Sequence, residues 1–282
     1  MSTARHDTDR ASDSESAIER AERLSRNVRL DAIGLEGQAR LARARVLVVG
    51  AGGLGAPVVS YLVGAGVGAL TIVDDDRVER SNLNRQVLFT TRDLGAPKAE
   101  VAARAARALD PAVSVSAVVA RLGVDDARER VRAHDVVVDC TDGLPAKYLL
   151  NDACVREAKP LVHGAVTGLA GQALVVAAGG KPCLRCLFDE LPPEGTVPTC
   201  QTVGVLGAAC GVVGSWLAHA CVRVIVDDAP FMVGRFTTFD LSIGRVKSLA
   251  FDARRTCEAC GETPTRDARD PEDYRSPPCL SR

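Results

Sequence analysis

Short hydrophobic runs alternate with amphipathic segments along the middle of the chain. Runs of β-branched and aliphatic residues predict buried strands at 46–49, 69–73, 113–119, 135–139 and 161–163. Around them, apolar residues at helical spacing predict helices at 33–44, 54–65, 98–110, 125–131 and 146–157. Because strand and helix alternate from residue 45 to 163, we predict an α/β fold built on a doubly wound, Rossmann-like, mainly parallel sheet.

The pattern changes after residue 167, where glycines interrupt the strand-like segments. Two further β-like runs, Arg235–Phe239 and Val246–Phe251, predict an antiparallel C-terminal extension of the same sheet. Before them, the uncharged run Val203–Ala218 imitates a membrane span. It is shorter than the ~20 residues that a span needs, so we predict a buried core helix and no membrane partner.

The two ends of the chain differ from the middle in composition. Residues 1–20 are rich in Ser, Asp, Arg and Glu and lack an apolar run, which predicts a disordered tail, no secretory signal and a cytoplasmic protein. Residues 262–282 carry charges and prolines and are expected to form a second tail, leaving 21–261 as the domain. The net charge of −1 argues against nucleic acid as a partner.

A glycine loop with the residues Gly50, Gly52, Gly53 and Gly55 directly follows the first predicted strand. Such glycines let the backbone turn sharply and approach a phosphate, at which the N terminus of the next helix points. Asp74 ends the second strand about 20 residues later, where a carboxylate accepts hydrogen bonds from ribose hydroxyls. The pattern predicts a site for a ribose phosphate, and NAD would fit it as well as ATP.

Four of the ten cysteines form two CxxC pairs, Cys183 with Cys186 and Cys257 with Cys260. Each spacing lets two thiolates bind one ion from a tight turn, and two such turns complete a tetrahedral zinc site. A redox pair and unrelated thiols are the alternatives. A closed four-cysteine site has no open position for chemistry, so its expected role is to tie the C-terminal strands to the body.

Cys200 stands apart from the other cysteines. It ends the Pro- and Glu-rich loop 191–200, just ahead of the predicted apolar helix. Because a helix N terminus lowers a thiol's pKa, Cys200 is a candidate nucleophile, and an inert loop thiol is the alternative. The remaining cysteines in apolar segments are expected to be small buried hydrophobes, namely Cys140, Cys154, Cys210 and Cys221.

Three more motifs follow the glycine loop in order: SNLNRQ at Ser81–Gln86, Pro97-Lys98, and CTD at Cys140–Asp142. With the acidic strand end and the CxxC pairs, they resemble the ThiF/MoeB/HesA family of sulfur-carrier-protein adenylyltransferases, over roughly residues 20–261. The resemblance implies an enzyme in which ATP reacts with the C-terminal Gly-Gly carboxylate of a small ubiquitin-like protein of ThiS/MoaD type. The products would be a carrier acyl-adenylate, ahead of thiocarboxylate formation, and pyrophosphate.

The resemblance also implies a role for each residue that matches a family motif. The four loop glycines would bind phosphate and Asp74 the ribose. Asp76 and Asn82 would belong to the nucleotide site, Arg85 and Lys98 would neutralise the ATP phosphates, and Asp142 would bind magnesium. These charges suit a carboxylate attacking an α-phosphate, because both reactants are anionic and pyrophosphate must leave with its charge neutralised. Surface charge, and for Asp142 a helix cap, are the alternatives.

Two implied roles concern partners. Arg26 matches an arginine that reaches the partner subunit's ATP site in family homodimers, although a solvated cation is the alternative. Cys200 matches the cysteine that in some members bonds to the carrier. No sulfurtransferase-like segment follows residue 261, so a separate protein would supply sulfur. The chain departs from the family at Gly143, usually Asn, and at Leu24 and Asn27, where Tyr and Gln are common.

Other functions explain less of the sequence. A nicotinamide-dependent dehydrogenase would use the glycine loop and Asp74 but would leave SNLNRQ, Lys98 and the CxxC pairs without a role. A non-catalytic Rossmann scaffold conflicts with the intact Arg85, Lys98 and Asp142. The same adenylation could act on a peptide or on a tRNA nucleoside, although the near-neutral charge speaks against tRNA. The carrier, its pathway and the covalent role of Cys200 stay open.

Overall fold

A single sheet carries the architecture of the described part of the chain. The computed structural model describes residues 16–198, 200–227 and 229–277, and only the backbone of Cys200 and Gln201. The strands within these residues are β1 Arg45–Val49, β2 Ala69–Val73, β3 Ser114–Val118, β4 Val136–Asp139, β5 Leu161–Thr167, β6 Ala170–Val176, β7 Arg235–Asp240 and β8 Arg245–Ala250. The helices are α1 Ala17–Val28, α2 Gly34–Arg43, α3 Gly55–Gly64, α4 Lys98–Leu109, α5 Ala127–Arg132, α6 Leu144–Arg156, α7 Leu184–Leu187, α8 Cys200–Val203 and α9 Gly207–Asp227.

The strand order explains where the ligand site forms. The order is β3-β2-β1-β4-β5-β6-β7-β8, with β1 to β5 parallel and β6 to β8 joined by antiparallel pairing. The predicted fold class, including the antiparallel extension, is confirmed. From β1 the chain runs to β2 and β3 on one side and then crosses back through α5 to β4 on the other side of β1, so the carboxyl ends of β1 and β4 open a crevice at a topological switch point.

Both faces of the sheet are covered, which is why the parallel strands read as continuous hydrophobic runs. In β1, Val46 and Val48 belong to the core beneath α3, α4 and α9. Leu47 and Val49 point the other way and pack with residues of α5 and α6. This alternation follows from the two-residue period of a strand. The glycine loop that follows β1 is therefore held on a strand packed from both sides.

The long helix α9 belongs to the core, as predicted. It is apolar and long enough to cross a membrane by length and composition, but Val213, Leu217 and Cys221 are fully buried against the rest of the chain. It begins at Gly207 and not at the predicted Val203. The helix cannot start earlier, because Gly204 has a positive φ of 75° and Val205 forms a β-bridge with Gly168.

Ordered structure extends into both segments that were expected to be tails. Helix α1 begins at Ala17, inside the expected 1–20 tail, because Ser16 caps it and forms a reciprocal capping box with Glu19. Residues 262–277, expected in the second tail, also pack on the body: Ala268 and Tyr274 are buried. Charged side chains of this segment, such as Arg266, form ion pairs, so its polar composition did not indicate that it would be disordered.

Candidate functional site

The glycine loop is shaped by close backbone contacts. Gly50 has a positive φ of 94°, and a Cβ there would lie 2.6 Å from the carbonyl oxygen of Cys140. A Cβ on Gly55 would lie 2.1 Å from the carbonyl oxygen of Gly50. Neither position can hold another residue without moving backbone. These contacts pack the loop against the end of β4 and against the start of α3, and so leave Gly52 and Gly53 facing a cavity.

This first cavity, of about 700 Å³, lies over the switch point. It brings together side chains that are far apart in sequence and were predicted to share one site. Its lining includes Gly50, Gly52, Gly53, Asp74, Asp76, Arg85, Gln86, Lys98, Asp142 and Lys147. Two cationic side chains expected at phosphates therefore share a cavity with the carboxylate expected to bind magnesium.

Asp74 links the glycine loop to the end of β2. Its Oδ2 accepts a hydrogen bond from the amide of Ala51 at 2.7 Å, and its Oδ1 accepts one from the amide of Asp76 at 2.9 Å. Burial raises the pKa of Asp74, while these two amides oppose the shift. Each carboxylate oxygen still has capacity for another donor, so Asp74 can bind a ribose hydroxyl.

The two cationic side chains are held by different means. Lys98, at the start of α4, is 6% exposed, and its Nζ lies 2.8 Å from Oδ2 of Asp76. Arg85 donates from one guanidinium nitrogen to the carbonyl of Ser81 at 2.9 Å and to Oδ1 of Asn84 at 3.0 Å. These contacts fix both cations at the cavity before any ligand arrives, as electrostatic stabilisation of a charged transition state requires.

A second cavity of about 540 Å³ adjoins the first one. The two linings have in common Gly50, Asp74, Asp76, Thr141, Asp142, Gly143 and Pro145. Apolar side chains of Leu122, Val124 and Leu149 line the second cavity, and the first cavity meets it at Asp74. Acidic side chains, among them Asp75 and Asp125, line the second cavity as well. A cavity with apolar and acidic walls beside one with two cations suits a ligand with a flat base and hydroxyl groups at one end and phosphates at the other.

Asp142 is exposed and faces both cavities. The alternative of a helix cap fails, because Gly143 occupies the N-cap of α6 and no side chain caps that helix. An exposed carboxylate at the junction of the two cavities is the type of oxygen ligand that magnesium takes beside nucleotide phosphates. The residues present therefore fit that ion.

A buried charged cluster that sequence reasoning missed lies under the first cavity. Asp139, at the end of β4, faces Nζ of Lys147 at 3.3 Å and Nδ1 of His163 at 2.7 Å. Burial opposes ionisation of Asp139, but Lys147, His163 and the Thr141 hydroxyl outweigh it and hold the pKa well below its usual value. Lys147 also donates to the carbonyl of Gly164 at 2.7 Å and lines the cavity.

The second ring nitrogen of His163, Nε2, indicates which protonation state the site favours. Burial lowers the pKa of His163, and its buried Nε2 has no hydrogen-bond partner among the residues that the structure describes. A bare lone pair costs less there than an unsatisfied N–H, so the neutral tautomer with the proton on Nδ1 fits the site. That proton is donated to Asp139.

Two residues of the SNLNRQ motif, Gln86 and Asn82, differ in whether they line the first cavity. Gln86 lines the first cavity, and its buried Oε1 has no hydrogen-bond partner, so it is a further candidate that the sequence analysis did not single out. The sequence feature that could have identified Gln86 is its position directly after Arg85. Asn82, expected in the nucleotide site, is buried in its own turn, where Oδ1 accepts from the amide of Glu79 at 3.1 Å, and it lies outside the lining of the cavity.

The four paired cysteines come together on the opposite side of the sheet from α9. The Sγ atoms of Cys183, Cys186, Cys257 and Cys260 all lie within 4.8 Å of one another, and all four residues are buried. Two of the separations are 3.6 Å and 3.4 Å. Four sulfurs around a tetrahedral ion with metal–sulfur bonds of ~2.3 Å are spaced by ~3.8 Å. The cluster therefore fits a metal such as zinc.

Two further predicted site residues, beyond Asn82 and Gly55, are not placed in a cavity. Arg26, in the last turn of α1, is exposed and lies outside both cavity linings. Cys200 begins the four-residue helix α8, and its side chain lies outside the described residues. The long helix that was expected to follow Cys200 directly starts seven residues later, at Gly207, so the expected position of that helix N terminus is wrong and the reactivity of the thiol stays a prediction.

The fold and site define a Rossmann-like α/β protein with a cavity of about 700 Å³, lined by a glycine loop and two cations, at the switch point of its sheet. Within that class, the chain belongs to the ThiF family, whose sequence model matches residues 24–260. The family resemblance predicted from the motifs is thus confirmed, and the dehydrogenase interpretation loses its basis.

Relatives and solved structures agree with this assignment. The chain is 47% identical to the SAMP-activating enzyme E1 of Haloferax volcanii over 241 residues, which cover 86% of this chain and 89% of that protein. It is 44% identical to the sulfur carrier protein adenylyltransferase of Thermus thermophilus, across 92% of this chain and 96% of that one. The Escherichia coli MccB structure with ATP shares the fold, with a TM-score of 0.73 at 23% identity, covering 85% of this chain and 73% of MccB.

Proposed function

We propose that this protein transfers AMP from ATP to the C-terminal Gly-Gly carboxylate of a small ubiquitin-like sulfur-carrier protein, releasing pyrophosphate. The observation that carries the proposal is the first cavity, where the glycine loop, Arg85, Lys98 and Asp142 converge at the switch point. The names of the two relatives above, an E1-type activating enzyme and a sulfur carrier protein adenylyltransferase, support the same chemistry.

In the proposed complex, different parts of ATP occupy the two cavities. The base occupies the second cavity, and the ribose lies at the junction against Asp74. The triphosphate then extends over Gly52 and Gly53 into the first cavity, whose remaining volume admits an extended carrier tail. This arrangement brings the tail carboxylate to the α-phosphate without passing the base.

In the reaction, an oxygen of the carrier carboxylate forms a bond to the α-phosphorus as the bond from that phosphorus to the β-phosphate oxygen breaks. Lys98 and Arg85 supply the positive charge that the anionic reactants and the departing pyrophosphate need. Asp142 would hold a magnesium ion, which when bound neutralises phosphate charge. No proton transfer is required, because the carboxylate is already ionised at neutral pH.

Several finer assignments belong to the proposal. Zinc is the expected occupant of the four-cysteine cluster, with a structural role, because four thiolates leave no open coordination position. A homodimer would bring Arg26 of one subunit to the other subunit's site, which accounts for an exposed arginine remote from its own cavity. A separate protein would donate sulfur to the adenylate. Cys200 is the candidate for a covalent bond to the carrier. The enzyme would work in the cytoplasm.

The test is ATP–pyrophosphate exchange with magnesium and each Gly-Gly-ended carrier encoded in the same genome. Wild-type protein should exchange with one carrier, and Lys98→Ala and Arg85→Ala should lose at least about a hundredfold in rate, in line with the loss of a preorganised charge. Arg80→Ala is the matched control, because Arg80 lies in the same turn, is exposed and lines neither cavity.

Three outcomes separate the alternatives. ATP binding without exchange for any carrier would shift the acceptor to a peptide or a tRNA nucleoside. Absence of ATP binding would favour the non-catalytic scaffold. Unchanged exchange rates in folded Lys98→Ala and Arg85→Ala would remove both cations from the mechanism.

A further inference from the structure

Residues 262–277, which we call the C-terminal strap, cross the two cavities. The strap lies beyond the residues 24–260 that match the family model. Pro271 and Tyr274 line the second cavity, and Ser276 lines the first. The carbonyl of Pro277 then accepts a hydrogen bond from the amide of Glu194 at 3.0 Å, and Glu194 itself lines the first cavity. The strap therefore forms one wall of the proposed nucleotide site.

Tyr274 is anchored to the first cysteine knuckle, Cys183–Cys186. Its hydroxyl donates to Oδ2 of Asp152 at 2.9 Å. The same carboxylate accepts from Nε and Nη2 of Arg185, each at 2.9 Å. Arg185 lies between the two cysteines of that knuckle and is 1% exposed, while Asp152 is fully buried. A buried, bidentate arginine–carboxylate pair holds its geometry well, and so it fixes the tyrosine it binds.

The second knuckle, Cys257–Cys260, holds the other end of the strap. The carbonyl of Glu258 accepts from the amides of Thr265 at 2.8 Å and Arg266 at 3.0 Å. The Arg266 side chain donates from Nε to Oε2 of Glu258 at 2.6 Å and also pairs with Asp273. The strap is thus fastened directly to Glu258 of the second knuckle at one end, and at the other end to Asp152, which pairs with Arg185 of the first knuckle.

We propose that the strap is part of the nucleotide site, with Tyr274 as the wall against which the adenine base rests and the two knuckles as its supports. The proposal rests on the proposed function, because it takes ATP as the ligand. An aromatic wall in an apolar cavity gains affinity through burial and ring stacking. An anchored ring gains more, because its conformational freedom is already lost before the ligand binds.

Isothermal titration of the purified chain with MgATP tests the proposal. Tyr274→Ala should weaken ATP binding by about tenfold or more, the scale that one buried ring contributes. Tyr274→Phe keeps the ring and loses the bond to Asp152, so its Kd should lie closer to that of the wild type than to that of Tyr274→Ala. Arg269→Ala is the control, because Arg269 is an exposed strap residue that lines neither cavity.

A second variant tests the support. Arg266 lines neither cavity, so Arg266→Ala can weaken ATP binding only through the position of the strap. We expect a higher Kd for ATP and faster hydrogen exchange of amides in 262–277. In the wild type, ATP should slow exchange in the same amides, a readout that does not depend on whether a variant folds.

The outcomes are distinguishable. If the wild type does not bind ATP, the proposed function and the role of the strap fall together. If the wild type binds ATP, but folded Tyr274→Ala binds it equally well and ATP leaves strap exchange unchanged, only the strap proposal is overturned. Equal ATP affinity in Arg266→Ala and wild type would overturn the supporting role of the second knuckle.

Discussion

Replacing Asp139 by Asn should strongly destabilise the fold. The change keeps the shape of the side chain and removes the negative charge at the centre of the buried cluster. Lys147, which is 3% exposed, then has its ammonium facing a neutral amide, and His163 loses a carboxylate acceptor. The carbonyl of Gly164 still accepts one of the three ammonium protons but cannot compensate the charge.

The expected cost is about 3–5 kcal/mol, the range for leaving one member of a buried ion pair without its partner. That is a large part of the ~5–15 kcal/mol that stabilises a domain. Removing both charges, in Asp139→Asn/Lys147→Met, should recover at least half of the loss, because no unpaired charge then stays buried. The difference between the single and double variants measures the coupling of the pair.

Urea unfolding followed by circular dichroism gives the comparison. With a slope of about 3 kcal/mol per M, Asp139→Asn should lower the midpoint by roughly 1–2 M. The control is Asp135→Asn at the other end of the same strand, where the carboxylate pairs with Arg45 at 2.9 Å and both side chains are about half exposed. An exposed pair contributes about 0–1 kcal/mol. Equal losses for the two variants would refute the argument from burial.

The remaining predictions concern pH and metal. Burial lowers the pKa of His163, so the unfolded chain takes up a proton as pH falls below about 6.5 while the folded chain does not, and stability should fall with pH from there. Urea midpoints between pH 8 and 5 should show a steeper fall in the wild type than in His163→Gln, and parallel curves would contradict this. Metal analysis should find about one zinc per chain, and removing it with a chelator should lower the melting temperature; a metal-free, equally stable protein would refute the zinc assignment.

Much of the fold could be predicted because its elements are locally encoded. The buried strands and helices of residues 45–163 follow from continuous hydrophobic runs and helical spacing, and the strand order agrees with the alternating pattern. The glycine loop could be predicted as well, since only glycine fits where Gly50 and Gly55 approach backbone atoms. The CxxC spacing predicted a cluster whose halves lie 74 residues apart in sequence.

Other features could not be predicted, because they depend on which surfaces meet. The strap looked like a polar tail, but Arg266 and Tyr274 find partners on the cysteine knuckles and on α6. Asn82 has the residue type of a nucleotide ligand, yet it caps its own turn. The start of α9 shifted because Gly204 takes a left-handed conformation that hydrophobicity does not report.

The sequence by itself determined the α/β class, the glycine loop, the cysteine pairs and the family, since each depends on residue type at short spacing. Only the tertiary structure decided that Asp139, Lys147 and His163 form one buried cluster, and that residues of a C-terminal strap line both cavities. The physical reason is that burial and charge pairing are properties of the assembled chain. The residue type of a lysine or a tyrosine does not specify whether its side chain is surrounded by water or paired with a buried carboxylate.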